Sequence, residues 1–192
     1  KSTLVRKIVF PAVGKVLGTV NDSTGKVDKL DGDYHKITQI EFVDQNPIGK
    51  SSRSNPVTYV KAYDAIRQLF ADQSLSVQRG YKPAFFSFNV DGGRCESCQG
   101  EGVNKIEMQF MADIYLTCEE CKGKRFKQYI LDIKVESDSE PGVLKDINEI
   151  LELTVEDSLD FFANHLAISR KLKPLYDVGL GYVQLGQSSN SL

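Results

Sequence analysis

The feature that most constrains this chain is a pair of Cys-x-x-Cys motifs. Cys95-Glu-Ser-Cys98 and Cys118-Glu-Glu-Cys121 are separated by nineteen residues, Gln99 to Thr117, and together hold every cysteine of the protein. Two residues between sulfurs let one tight turn aim both at a single point, and two such turns complete the S4 shell that Zn²⁺ prefers. The spacing falls in the range typical of structural zinc sites, with two disulfides or four unrelated buried thiols as the alternatives. Gly100, Gly102 and Gly123 follow the pairs, where backbone amides must turn toward sulfur. A full tetrahedral shell has no open position, so such a site is structural and not catalytic.

Between the knuckles, Val103 to Met111 alternates with Ile106, Met108 and Phe110 on one face, and Asp113 to Thr117 returns with Ile114 and Leu116. This pattern predicts a β-hairpin with both cysteine pairs at its base. Metal-binding cysteines suit a reducing compartment, hence the cytoplasm. No apolar run approaches the ~18 residues of a membrane span.

The net charge of −2 conceals segregation. Residues 128–164 carry 2 basic and 10 acidic side chains, whereas 79–127 carry 8 and 7. The acidic stretch is a poor nucleic-acid surface. The cysteine region is no general polycation either, because a zinc tetrathiolate adds about −2. Any phosphate contact is therefore focal: Arg79 and Lys82 flank Gly80 beside Tyr81, Lys105 lies on the hairpin, and Lys124-Arg125 follow the last cysteine.

Elsewhere the patterns are ordinary. Val5, Ile8 and Val9 predict a short helix with those residues facing a core and an end at Pro11. Ile37–Val43 reads as a strand, with Ile40 and Phe42 on one face, and 44–56 as a polar loop. Val57–Gln73 reads as one helix with a Tyr59, Tyr63, Ile66, Leu69 and Phe70 stripe, and Ser74–Pro83 as a loop. Ala84–Val90 and Tyr129–Val135 read as strands. Leu144–Leu151 is amphipathic, Thr154-Val-Glu-Asp157 looks like a capping box, and a last helix spans about Ala167–Asp177. Neither His35 nor His165 has ligand spacing. No nucleophile–base arrangement stands out.

Taken together, several words resemble the UvrA family, the ATP-dependent damage-recognition subunits of the bacterial excinuclease. They are Lys1-Ser-Thr-Leu4, Asp44-Gln45-Asn-Pro-Ile-Gly49, Arg53-Ser-Asn-Pro-Val-Thr-Tyr59, Phe86-Ser-Phe-Asn89, Gly93-Arg-Cys-Glu-Ser-Cys-Gln-Gly100 and Val178-Gly-Leu-Gly-Tyr182. The resemblance runs in family order over nearly the whole chain, within the second of that family's two ATP-binding halves. It implies an α+β fold: a partial ABC-type nucleotide-binding lobe at 1–56, an inserted domain at 57–178 with its zinc module at about 84–127, and a return segment at 179–192. Lys1, Ser2 and Thr3 would be remnants of Walker A and Gln45 the Q-loop residue, serving ATP and Mg²⁺ in the parent. Arg79 and Lys82, then Lys105, Lys124 and Arg125, become candidates for contacts to damaged double-stranded DNA. The implied parent is a homodimer that works with UvrB-like excinuclease subunits and needs no membrane. The glycine cradle, the ABC signature and Walker B are not in the 192 residues, so this stretch is expected not to hydrolyse ATP unaided. Two rival readings stand beside it: a cysteine-rich module of the J-domain-chaperone kind that binds unfolded polypeptide, and a purely structural zinc module.

Overall fold

The structure, a computed structural model, describes residues 2–19, 23–43, 53–108, 110–111 and 113–189. The chain divides into two compact units, Lys1–Asn46 and Pro47–Leu192. Lys1, Gln45 and most of the loop expected over 44–56 lie outside the described residues.

In the first unit, α1 (Ser2–Leu4) runs into a π-helical turn (Val5–Val9) and then α2 (Phe10–Val16). The helix therefore does not stop at Pro11. The widened turn passes the Phe10 N–H to the Val5 carbonyl, so Pro11 enters α2 at a position where no N–H is required. The Lys7 carbonyl instead accepts the Gly25 N–H at 2.9 Å. Val5 and Val9 are exposed, contrary to the expected core face, and burial shifts to Pro11 and Val13. Ile37–Val43 forms no ladder among the described residues, although Ile40 and Phe42 are its two half-buried positions. The Phe42 ring packs 5.4 Å from that of Phe10, with Arg6 over its face.

The second unit is a cluster of short helices around one apolar core. The expected helix over 57–73 is two, α3 (Pro56–Tyr59) and α4 (Tyr63–Ala71), parted where Lys61 takes a left-handed backbone. Asn55 caps α3 by accepting the Thr58 N–H. The break turns Tyr59 outward, while Tyr63, Ile66 and Phe70 stay buried. The segment after Ala71, expected as a loop, folds as α5 (Ser74–Arg79) and ends at left-handed Gly80. The strand expected at 84–90 is a 3-10 turn, Pro83–Phe86, followed by irregular chain. Phe86 and Phe88 still point into the core, whereas Val90 is exposed.

The hairpin appears as expected, β1 (Val103–Ile106) against β2 (Ile114–Thr117), antiparallel with Ile106 opposite Ile114. Its apolar residues cover nothing: Ile106, Met108, Ile114 and Leu116 are exposed, and Phe110 is 96 % exposed. Tyr129–Val135 is not a strand; α6 (Gln128–Leu131) precedes a two-residue ladder of β3 (Val135–Glu136) with β4 (Leu144–Lys145). Leu131, Ile133 and Val135 are nonetheless all buried. In α7 (Ile147–Glu152), Asp146 and Glu149 form a reciprocal capping box. In α8 (Val155–Phe161), Thr154 accepts the Asp157 N–H and donates its hydroxyl to the Asp157 carboxylate. The shorter Asp side chain thus spends its reach on the hydroxyl. The last helix, α9 (Leu166–Asp177), contains Pro174. His165 donates or accepts at Nδ1 with Asp138 at 2.9 Å, a structural contact.

The segment after α9 is irregular yet pinned. Leu185 N–H donates to Leu153 O, Gly186 N–H to Leu151 O and Ser189 N–H to Ser54 O, while Leu185 O accepts from Val57 N–H. The two described ends of this unit therefore meet, forming a neck.

Candidate metal centre

Both knuckles are placed by backbone pairing. Lys127 N–H donates to Gly93 O, Cys95 N–H to Arg125 O and Cys118 N–H to Gly102 O. The entering and leaving chains of the motif thus close over the hairpin base. The two knuckles also repeat one backbone. Gln99, Gly100 and Gly102 have φ of 50°, 84° and 79°, and their counterparts Lys122, Gly123 and Arg125 have 50°, 85° and 67°. A non-glycine in the left-handed region is costly, so matched outliers in both halves mark a geometry that the surroundings enforce. Gly100 is required sterically as well: a Cβ there would sit 2.1 Å from the Phe88 carbonyl oxygen.

This repetition brings all four cysteines together. Their Sγ atoms lie within 4.8 Å of one another, and all four residues are buried. Cys95 Sγ is 3.9 Å from Cys118 Sγ, and Cys98 Sγ is 3.6 Å from Cys121 Sγ. Sulfurs at ~2.3 Å from a tetrahedral ion are ~3.8 Å apart, so the set fits a four-coordinate metal ion. The Gly102 N–H points at Cys98 Sγ from 3.3 Å, as expected where a sulfur carries negative charge. Burial pushes the Cys95 thiol up and the Cys121 thiol up to about 12. Burial opposes ionisation of Cys118 too, but hydrogen bonds from the Cys121 and Glu120 backbone and neighbouring side chains bring it down to about 7. A cation at the centre would favour the thiolate at every one of them.

The predicted cations divide sharply. Lys82 and Lys124 are exposed. Arg79 is partly engaged, donating to the Tyr129 carbonyl at 3.2 Å and pairing with Asp132 at 3.4 Å. Lys105 sits between Glu107 and Asp113, at 3.0 and 2.9 Å, and these hydrogen bonds hold its pKa above the ordinary lysine value. Arg125 is turned inward: Nη2 donates to the Gly186 carbonyl at 3.1 Å and the guanidinium lies over the Phe88 ring. Burial pulls its pKa below the ordinary arginine value. An open depression of about 540 Å³ beside the sulfurs mixes Lys122, Lys124 and Lys127 with Glu96 and Glu120. Ser2 and Thr3 are exposed on α1.

Fold and site together define the class: an α+β chain carrying a four-cysteine metal-knuckle hairpin. No family model matches the sequence. Over all 192 residues the chain is homologous to a segment of UvrABC system protein A, at 47 % identity to that of Clostridium perfringens, 47 % to that of Aquifex aeolicus and 46 % to that of Thermus thermophilus. It spans about one fifth of those relatives, 20 %, 20 % and 19 % of their lengths. Among solved structures it is similar to UvrA2 from Deinococcus radiodurans, with a TM-score of 0.71 and 45 % identity over 78 % of this chain and 18 % of that one. The resemblance seen in the motifs therefore holds from end to end, and so does the α+β class. No helix among the described residues is long and apolar enough to cross a membrane.

Proposed function

We propose that this chain serves as the part of an ATP-dependent DNA-damage-recognition protein of nucleotide excision repair in which a zinc-stabilised insertion links nucleotide binding to DNA grip. The observation that carries the reading is the gathering of the Cys95, Cys98, Cys118 and Cys121 sulfurs within 4.8 Å of one another, in a chain homologous throughout to a segment of UvrABC system protein A. On this reading the four sulfurs hold structural Zn²⁺, whose chemistry is to clamp the hairpin base by neutralising four thiolates. Residues 1–56 belong to an ABC-type lobe, with Lys1, Ser2, Thr3 and Gln45 on the side of ATP and Mg²⁺. Residues 57–178 are the insertion, and 179–192 lead back. The meeting of Ser54 with Ser189 supports an insertion, since an excursion must leave and re-enter its host at one place. In the parent, ATP turnover, a cytoplasmic homodimer and UvrB-like partners complete the assembly.

For DNA, phosphate contacts supply affinity and the deformability of damaged duplex supplies selection. Lys82 and Lys124 are the exposed cations best placed to contribute, with Arg79 able to exchange its surface acid for phosphate. Lys105 and Arg125 rank below these, because Glu107 and Asp113 already hold the first and the second donates to the Gly186 carbonyl. A second reading, a purely structural zinc module without a ligand of its own, is favoured by the engagement of Arg79, Lys105 and Arg125 in contacts within the chain. The zinc-loaded chain, titrated with duplex oligonucleotide across a salt series, separates them. Salt-dependent binding that weakens in Lys82→Ala supports the first reading, and no binding at low salt supports the second.

A further inference from the structure

The geometry points to Arg125 as the positioning residue that ties the metal centre to the neck of the second unit. The inference rests on the metal reading above.

Arg125 ends the second knuckle, at the place where the first has Gly102, and keeps the glycine's left-handed backbone at φ 67°. Its own carbonyl accepts the N–H of Cys95, the first metal ligand. Its side chain crosses the interior to the Gly186 carbonyl, 61 residues away in sequence. Among the described residues no carboxylate lies within ion-pair distance of the guanidinium.

The far end of the contact lies in the neck. Gly186 N–H donates to Leu151 O at 2.7 Å, and Leu185 pairs with Leu153 on one side and Val57 on the other. Ser189 then reaches Ser54 at 2.8 Å. One guanidinium therefore joins the metal knuckle to the run of residues that brings the unit's ends together. Removing the metal would release the left-handed turn at Arg125, whose carbonyl holds the Cys95 N–H. The grip on Gly186 would loosen, and with it the neck. Metal occupancy would then be read 61 residues away without any rearrangement of the apolar core.

The test is amide hydrogen exchange on the full 192-residue chain, zinc-loaded and chelated, for wild type, Arg125→Met and Arg125→Lys. In wild type, chelation should speed exchange at Leu185 and Gly186 on the order of tenfold, the scale of one charge-assisted hydrogen bond. Zinc-loaded Arg125→Met should already show the faster rate, and chelation should add less than about twofold. Exchange at Ile66 and Phe70 should stay at the wild-type value in zinc-loaded Arg125→Met, which a general loss of structure would not allow. Arg125→Lys retains a charged donor and should retain the chelation response. If Arg125→Met does not fold, the wild type still decides: neck amides that exchange at the same rate zinc-loaded and chelated overturn the inference. It is also overturned if the neck amides of Arg125→Met respond to chelation as in wild type. A wild-type chain that binds no zinc fails at the metal-loading step and refutes the functional reading itself. Normal zinc loading with an unresponsive neck refutes only the role of Arg125.

Discussion

Replacing Gly100 by alanine tests how firmly the first knuckle is seated. Its backbone has φ 84°, which costs a residue bearing Cβ ~1–2 kcal/mol. The added Cβ would sit 2.1 Å from the Phe88 carbonyl oxygen and 2.9 Å from its carbon. More than an ångström of overlap must be absorbed by moving one backbone segment against the other, a strain of ~1–3 kcal/mol. Cys98 lies two residues away, so the displacement passes directly to a ligand. In the metal-free chain the knuckle can relax, and the strain is expressed mainly in the loaded state. The sum, ~2–5 kcal/mol, corresponds to zinc affinity weakened roughly 30- to 5,000-fold. Competition with a chromophoric chelator at fixed pH measures this, since ligand deprotonation makes the affinity pH-dependent. Gly142→Ala is the control: φ is 88°, but nothing lies within 4 Å of its Cβ, so its zinc affinity should be unchanged. A Gly100→Ala chain binding zinc within about threefold of wild type would refute the seating described here.

Three further outcomes are expected. Tyr63→Phe removes the hydroxyl that donates to the Phe86 carbonyl at 2.7 Å in the core, and should lower stability by ~1–2 kcal/mol, read as a lower urea midpoint at unchanged m-value. Burial opposes the Asp138 charge, but hydrogen bonds from His165 and the Asn164 N–H outweigh it and depress its pKa. The stability it lends is therefore present above the unfolded carboxylate value of about 3.9 and lost as pH falls through the lower folded value. Asp138→Asn should accordingly be destabilised at pH 7, with the gap to wild type closing in acid; an equal gap at every pH would contradict this. Finally, Lys82→Ala and Lys124→Ala should each reduce the salt dependence of DNA binding by about one charge, whereas Lys105→Ala should leave it unchanged.

The gathering of the four cysteines is the most legible part of the chain, because tetrahedral coordination restricts spacing far more tightly than secondary structure does. The hairpin followed from the same constraint and from its alternation. Two of the differences share one cause: period-2 burial predicts strands at 84–90 and 129–135, where the chain forms mainly turns and a short helix. Phe86 and Phe88, and likewise Leu131, Ile133 and Val135, do alternate inward. They do so mostly on turns and short helices; of these five residues, Val135 alone lies in a ladder, opposite Lys145. The helix over 74–79 has a visible stop signal in Gly80, a residue equally common in loops. Nothing in the residues around Lys61 announces its left-handed break. Arg125 was legible in principle: aligning the knuckles places it on Gly102, and a bulky residue at a glycine position signals a packing role. Its partner, Gly186, lies too far along the chain for any local pattern to show.

The account stands on a single ion held by four sulfurs. The most direct measurement is metal analysis of freshly purified, reduced protein together with the absorption spectrum of its cobalt-substituted form. One equivalent of zinc per chain, and a tetrahedral tetrathiolate cobalt spectrum that disappears in a Cys118→Ser chain, is the predicted result. Absence of stoichiometric metal, or a cobalt spectrum indifferent to Cys118, would contradict it.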